Sequence, residues 1–171
     1  MVKRIAFLAA LLVASAAPAR AQASAADAEY RPTVLFGAGY ASRTQLTGEV
    51  GLLIPVVKPE HGDDLGDTLG HKGLEIEASA GTGGVRVAAG AAWLAKAGGG
   101  PVLFAADVLG TVTRTSVAPR GAGGDSTYVG VEAGWTVMMV RVSAGVAHRV
   151  AGPDGPHETA FTWSVGFHTG R

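Results

Sequence analysis

Residues 126–150 read STYVGVEAGWTVMMVRVSAGVAHRV, a segment in which apolar and polar or small side chains alternate. Val129 and Val131 share one face of an extended chain, and Gly130 and Glu132 share the other. A period of two is typical of β-strands, because successive side chains of a strand point to opposite sides. Glycines recur inside the segment, where a helix interior would be destabilised by them. The segment therefore predicts paired strands rather than a helix.

The same alternation continues through the chain from residue 33 onward and predicts an all-β fold. Turn-forming sequences such as Thr82-Gly83-Gly84 separate the periodic segments, whereas Met138-Met139 is the connection with the weakest turn chemistry. We expect a closed antiparallel up-and-down β-barrel of eight strands. The strands are predicted at 33–41, 45–56, 73–81, 84–95, 101–115, 126–137, 140–150 and 158–168.

The N-terminus has the pattern of a secretory signal peptide. Lys3 and Arg4 precede an apolar run over Ile5–Ala17, and Ala19-Arg20-Ala21 has the small-x-small pattern of a cleavage site. The run is shorter than the roughly 20 residues that a membrane-spanning helix needs. Cleavage after Ala21 is expected, with Ala23 as the alternative. The predicted organisation is a signal peptide at 1–21, a flexible lead-in at 22–32 and one barrel domain at 33–171.

Composition limits the classes of function. Removal of residues 1–21 leaves 171 − 21 = 150 residues, with 14 − 3 = 11 basic against 14 acidic residues and a net charge of −3. A chain without a basic surplus lacks the electrostatic signature of nucleic-acid binding, so we expect no nucleic-acid partner. The sequence has no cysteine, which excludes disulfides, thiol metal sites and a lipid anchor on cysteine.

The two faces of the predicted strands differ in size as well as polarity. One face is rich in Val, Phe and Trp, while the other combines Gly, Ala, Ser and Thr with single charges. A soluble barrel turns its apolar face inward, and a membrane barrel turns it toward lipid. A small face suits the narrow interior of eight strands, and all three Trp lie on the apolar face. We therefore expect a transmembrane barrel with the polar face in its lumen.

Charged side chains on the small face then need partners, because a buried charge is costly unless it is paired. With Thr82-Gly83 at the tip of its hairpin, Ser79 faces Arg86 and Glu77 is the diagonal neighbour of Arg86. Arg114 and Arg149 are counted among the possible cationic partners. We interpret the charges as a salt-bridged network that fills the lumen. Its predicted members are Glu49, Glu75, Glu77, Arg86, Asp107, Glu132 and Arg141.

The signal peptide, the eight periodic segments and the closing segment Phe161-Thr162-Trp163-Ser164-Val165-Gly166-Phe167 resemble the small outer-membrane β-barrel family of Gram-negative bacteria, the eight-stranded OmpA/OmpX-like type. The resemblance implies residence in the cell outer membrane, contact with its lipid and lipopolysaccharide, and recognition of the closing strand by the barrel assembly machinery. We expect a monomer. The chain departs from this pattern by continuing after Phe167 and by a long connection at 57–72. That connection is either a periplasmic elaboration or a sign that the strand count is wrong.

Two further groups of residues could bind a metal or support catalysis, but their sequence patterns are less specific. Asp63, Asp64 and Asp67 could bind calcium through carboxylate oxygens, but their spacing does not match an EF-hand, and we expect no metal site. His148 with Ser116 or Ser126 and Glu158 could support nucleophilic catalysis, but no local motif links these residues. No cofactor is predicted.

The leading interpretation is a structural or interaction protein of the outer membrane that has no enzymatic activity, with a side-chain-filled lumen and displayed loops. One alternative is an outer-membrane enzyme acting on lipid or lipopolysaccharide. Another is a soluble periplasmic or secreted β-barrel that binds an apolar ligand.

Overall fold

The computed structural model describes residues 32–56, 71–96, 102–116, 124–153 and 159–170. It contains eight strands in one sheet. The predicted signal peptide, nearly all of the lead-in and the connection at 57–70 lie outside the described residues. The strands are β1 Thr33–Ala41, β2 Gln45–Pro55, β3 His71–Gly81, β4 Gly84–Lys96, β5 Val102–Thr115, β6 Thr127–Val137, β7 Val140–Ala151 and β8 Thr159–Gly170.

The sheet closes on itself, which confirms the predicted eight-stranded antiparallel barrel. Each strand pairs with its neighbours in sequence, and β1 pairs with β8 from Leu35↔Gly170 to Ala41↔Ser164. Closure removes the free edges that would otherwise offer unpaired backbone groups. No helix in the described part of the chain is long and apolar enough to cross a membrane.

The two ends of the barrel are called here the hairpin rim, where β1 joins β2, and the terminal rim, where β1 begins and β8 ends. Strand β3 begins two residues earlier than predicted, and the Val56 amide donates to the Lys72 carbonyl at 3.0 Å. The connection after β2 therefore leaves and re-enters the barrel at adjacent points of the terminal rim. The predicted strand count is therefore right near the N-terminus. The long connection is not the result of a miscounted strand.

The Met138-Met139 turn is present despite its poor turn chemistry. Val137 pairs with Val140, and both methionines have positive φ, 47° and 74°. Positive φ at both central residues is the pattern of a type I′ turn, whose twist matches that of antiparallel strands. Strand β8 runs to Gly170, so the residues after Phe167 extend the closing strand.

The outer face of the barrel is apolar. Val108, Val131 and Trp135 are 55%, 46% and 51% exposed, and many other large apolar side chains on this face are exposed to a similar degree. The inward face holds buried Thr, Ser and charged side chains. The barrel is thus apolar outside and polar inside.

The lumen also contains apolar side chains that the sequence analysis did not place there. Leu35, Leu53 and Leu94 form a buried cluster with Ala105 near the terminal rim. They have the inward parity of their strands and are at most 3% exposed. This cluster, called here the apolar plug, lies on the terminal side of the lumen.

Candidate functional site: the charged lumen

Glu77 is the centre of the charged lumen, since its two carboxylate oxygens each accept from a different arginine. Arg86, on the adjacent strand β4, donates from Nη1 to Oε2 at 2.9 Å. Arg141, on β7, donates from Nη1 to Oε1, also at 2.9 Å. Glu77 is 1% exposed. Its full burial with both oxygens paired satisfies the requirement that a buried charge be compensated.

The two arginines extend the network to further acidic side chains. Arg86 also bonds to Glu132 Oε2 through Nη2. Arg141 donates from Nη2 to Asp107 Oδ1 at 2.8 Å, and its Nη1 lies 3.9 Å from Glu49 Oε1. These contacts join β2, β3, β4, β5, β6 and β7 across the lumen. Guanidinium groups suit this role because one side chain offers several donors in a rigid plane.

Six of the seven predicted network residues lie directly opposite a glycine on a neighbouring strand. A Cβ at Gly134 would lie 2.5 Å from Asp107 Oδ2, and one at Gly37 would lie 2.3 Å from Glu49 Oε1. At Gly37, Gly51, Gly134 and Gly145 an added Cβ would meet the opposing charged side chain, so these glycines leave the space that it occupies. The opposing pairs are Glu49↔Gly37, Glu77↔Gly51, Glu75↔Gly90, Asp107↔Gly134, Glu132↔Gly145 and Arg141↔Gly166.

Glu75 is the predicted network residue that has no ion pair with an arginine among the described residues. It lies two residues before Glu77 on the same face of β3, opposite Leu53 on β2, and is 4% exposed. Its Oε1 has no hydrogen-bond partner within the described ranges. This carboxyl therefore lies where the charged network meets the apolar plug.

His168 belongs to the lumen as well, although the sequence analysis gave it no role. It pairs with Gly37 on β1, which in turn pairs with Glu49 on β2. The glycine between them leaves space, and ligand atoms of His168, Glu49 and Glu77 all lie within 4.8 Å of one another. The signal that could have found His168 is its inward parity on β8.

The other arginines in the described part of the chain, Arg43, Arg114 and Arg149, lie toward the hairpin rim. Arg114 faces outward and is exposed, and it bonds to Asp125 and Thr127 near the hairpin rim, so its assignment to the small face was wrong. Arg149 has inward parity and is half-buried near the same rim. Arg43, in the turn after β1, is buried with its guanidinium 3.7 Å from the centre of the Tyr128 ring.

The lumen retains small cavities toward the hairpin rim. One of about 30 Å³ is lined by Glu49, Ser79, Arg86 and Arg141, among others. A second of about 20 Å³ is lined by residues that include Arg43. A water molecule needs roughly 10–15 Å³ measured in this way. These cavities therefore have room for a few water molecules and not for a continuous water column.

The residues considered for catalysis do not form the contacts that a nucleophilic mechanism needs. His148 faces outward, and its Nδ1 lies 3.0 Å from Thr159 Oγ1. The hydroxyl of Ser126 donates to the Gly124 carbonyl at 3.3 Å, and Ser116 is exposed. Within the described ranges neither serine bonds to His148. Glu158, like the candidate calcium ligands Asp63, Asp64 and Asp67, lies outside those ranges.

Comparison of the chain with protein-family models, with curated proteins and with solved structures finds no match. The class of protein is therefore defined by fold and site alone: an eight-stranded barrel with an apolar exterior and a charged, closed interior.

Proposed function

We propose that this protein spans the outer membrane of a Gram-negative bacterium as a small, non-conducting barrel. It serves there as a structural or interaction protein whose loops are displayed at the rims. The observation that carries the proposal is the pairing of an exposed apolar exterior with a buried ionic interior. Soluble monomers rarely expose contiguous apolar patches larger than about 300–600 Å². Here apolar side chains are exposed on all eight strands.

The dimensions of the strands support this placement. A membrane-spanning strand needs about 9–11 residues at the usual tilt. The shortest strand here has 9 residues and the longest has 14. Every backbone group in a membrane must be paired internally, and closure of β1 on β8 meets that requirement. Each strand is therefore long enough to cross the hydrocarbon layer within a closed sheet.

Aromatic side chains lie at both rims, as the interfacial girdles of membrane barrels do. Tyr40 and Trp163 pack at the hairpin rim with ring centres 5.8 Å apart. Trp93 and Phe104 pack near the terminal rim at 5.3 Å. Trp163 is close to the chain end in sequence but lies at the opposite rim from Trp93. This arrangement supports two interfacial belts separated by aliphatic residues.

The lumen supports a filled barrel rather than a pore or a container for an apolar ligand. An eight-stranded barrel is just wide enough for side chains to fill. Here Glu77 and Arg141 occupy the centre, and Leu35 and Leu53 close the terminal side. An apolar ligand inside would have to displace paired charges, which is costly. The soluble-barrel alternative therefore has little support from the interior.

Membrane fractionation tests the proposal. The protein should sediment with outer membranes, require detergent for extraction, and migrate faster unboiled than boiled on a denaturing gel. Recovery as a monodisperse monomer without detergent would overturn the proposal. A detergent-solubilised barrel that hydrolyses phospholipid or lipopolysaccharide would keep the location and replace the structural role with the enzymatic one.

A further inference from the structure

We propose that the lumen binds one divalent transition-metal cation of the zinc type through Glu49, Glu77 and His168. One imidazole and two carboxylates converge from β8, β2 and β3, and their ligand atoms lie within 4.8 Å of one another. Zinc takes histidine nitrogen and carboxylate oxygen at about 2.0–2.2 Å. To reach that distance the three side chains must draw closer together than they lie in this structure. Calcium prefers six to eight oxygen ligands, which suits this mixed set less well.

The buried imidazole is the second observation that points to a ligand. His168 is 6% exposed, and its Nε2 has no hydrogen-bond partner among the described residues. A nitrogen buried without a hydrogen-bond partner destabilises the fold, because it loses its hydration and gains nothing in exchange. A metal ion held between His168 and Glu49 satisfies it. Gly37 lies between these two residues in the sheet, and the Glu49 carboxylate lies over it.

The charge balance of the network favours a cation at this position. Four carboxylates (Glu49, Glu77, Asp107 and Glu132) lie within 3.9 Å of two guanidiniums (Arg86 and Arg141), an excess of 4 − 2 = 2 acidic groups over basic ones. Arg43 and Arg149 lie farther toward the hairpin rim, and Arg43 is stacked on Tyr128. A divalent ion offsets this excess of two.

Calorimetric titration of the metal-free, folded protein with zinc tests this site, with calcium as the comparison ion. We expect one zinc per barrel and much weaker calcium binding. His168→Ala and Glu49→Gln should each weaken zinc binding roughly tenfold or more. Mutation of residues that only support metal ligands already lowers metal affinity about 10–100-fold. His148→Ala, which alters the outward-facing histidine, should leave the affinity unchanged.

The connection after β2 requires its own control, because it contains a further histidine, His61, and several carboxylates. A triple variant, Asp63→Asn with Asp64→Asn and Asp67→Asn, should bind zinc as tightly as the parent. Absence of saturable zinc binding would overturn the proposal. Binding that survives His168→Ala and Glu49→Gln but is lost in the triple variant would also overturn it.

X-ray absorption spectroscopy of the zinc-loaded parent protein gives a test that needs no variant to fold. The expected ligand shell contains one imidazole nitrogen and oxygens. A shell without imidazole, or with two or more imidazoles, would overturn the assignment. The titration can be done in any medium that keeps the barrel folded, whether or not the protein resides in a membrane. A titration without zinc binding would therefore count against the zinc site alone, whereas failed membrane fractionation would count against the proposed function alone.

Discussion

Asp107 and Gly134 lie directly opposite each other on β5 and β6, and the glycine provides the space through which the carboxylate reaches Arg141. A Cβ at Gly134 would lie 2.5 Å from Asp107 Oδ2 and 2.9 Å from Arg141 Nη2. The ion pair and the glycine are therefore one structural unit. Glycine in a strand interior is normally weakening, and here it allows a close approach that a side chain would prevent.

Gly134→Ala should consequently destabilise the barrel by about 1–3 kcal/mol, the usual cost of overpacking. The added methyl group forces Asp107 away from Arg141. Gly48→Ala is the matched control, because that glycine faces outward and a Cβ there meets nothing within 4 Å. The free energy of unfolding in denaturant compares the two. Equal stability of both variants would show that Asp107 relocates without cost.

The apolar plug and the charged centre together predict the absence of a large pore. Leu35 and Leu53 are buried at the terminal side, and Arg141 crosses the middle of the lumen. Planar-bilayer recordings should show no steady, porin-like conductance. Leu53→Ala should remain without a large pore, because the ion pairs still fill the section above the plug. A steady large conductance of the parent protein would contradict the filled-lumen assignment.

The Met138-Met139 turn stores backbone strain that substitution can release. Both residues have positive φ, which costs a residue with a side chain roughly 1–3 kcal/mol. Met138→Asn with Met139→Gly should stabilise the barrel by about 1 kcal/mol, because Asn-Gly is the preferred type I′ sequence. Met138→Leu, which keeps the strain, should have little effect. Unchanged stability of the Asn-Gly variant would show that the strain is not present in solution.

Much of the barrel was predictable because strand alternation and hairpin turns are local properties. The two-residue tip at Thr82-Gly83 sets the register, and Ser79 does face Arg86 as predicted. The diagonal position of Glu77 then brings it to 2.9 Å from Arg86. Both the parity of a strand and the register of a short hairpin can be read from sequence.

Contacts across the lumen could not be predicted in the same way. Arg141 reaches Glu77 from β7 to β3, two strands that do not pair with each other, and this contact depends on barrel diameter and stagger. The proximity of His168 to Glu49 depends on how β8 closes on β1. The packing of Leu35 and Leu53 against each other was not predicted, because inward parity alone does not say which lumen side chains come together.

A positive charge in the middle of the outer face tests the membrane placement. Val131 lies midway along β6, and Val137 lies at its end with similar exposure. Val131→Arg should reduce the stability of the barrel folded in a bilayer by about 2–4 kcal/mol, and Val137→Arg should reduce it by about 0–1 kcal/mol. Equilibrium refolding into lipid vesicles measures both. Similar values for the two variants would contradict a hydrocarbon layer centred on Val131.

The last prediction concerns the unequal importance of two lumen carboxylates. Glu77 accepts from both Arg86 and Arg141, whereas the ion pair of Glu132 is with Arg86. Glu77→Gln keeps the size of the side chain but weakens the compensation of two buried guanidiniums, and breaking a buried pair typically costs about 3–5 kcal/mol. Glu132→Gln should cost less, because Arg86 retains Glu77. Denaturant unfolding should rank the variants in that order, and adding Arg86→Met to Glu132→Gln should increase the loss, because Glu77 then keeps only Arg141. The reverse order would mean that Glu77 is not the central acceptor of the network.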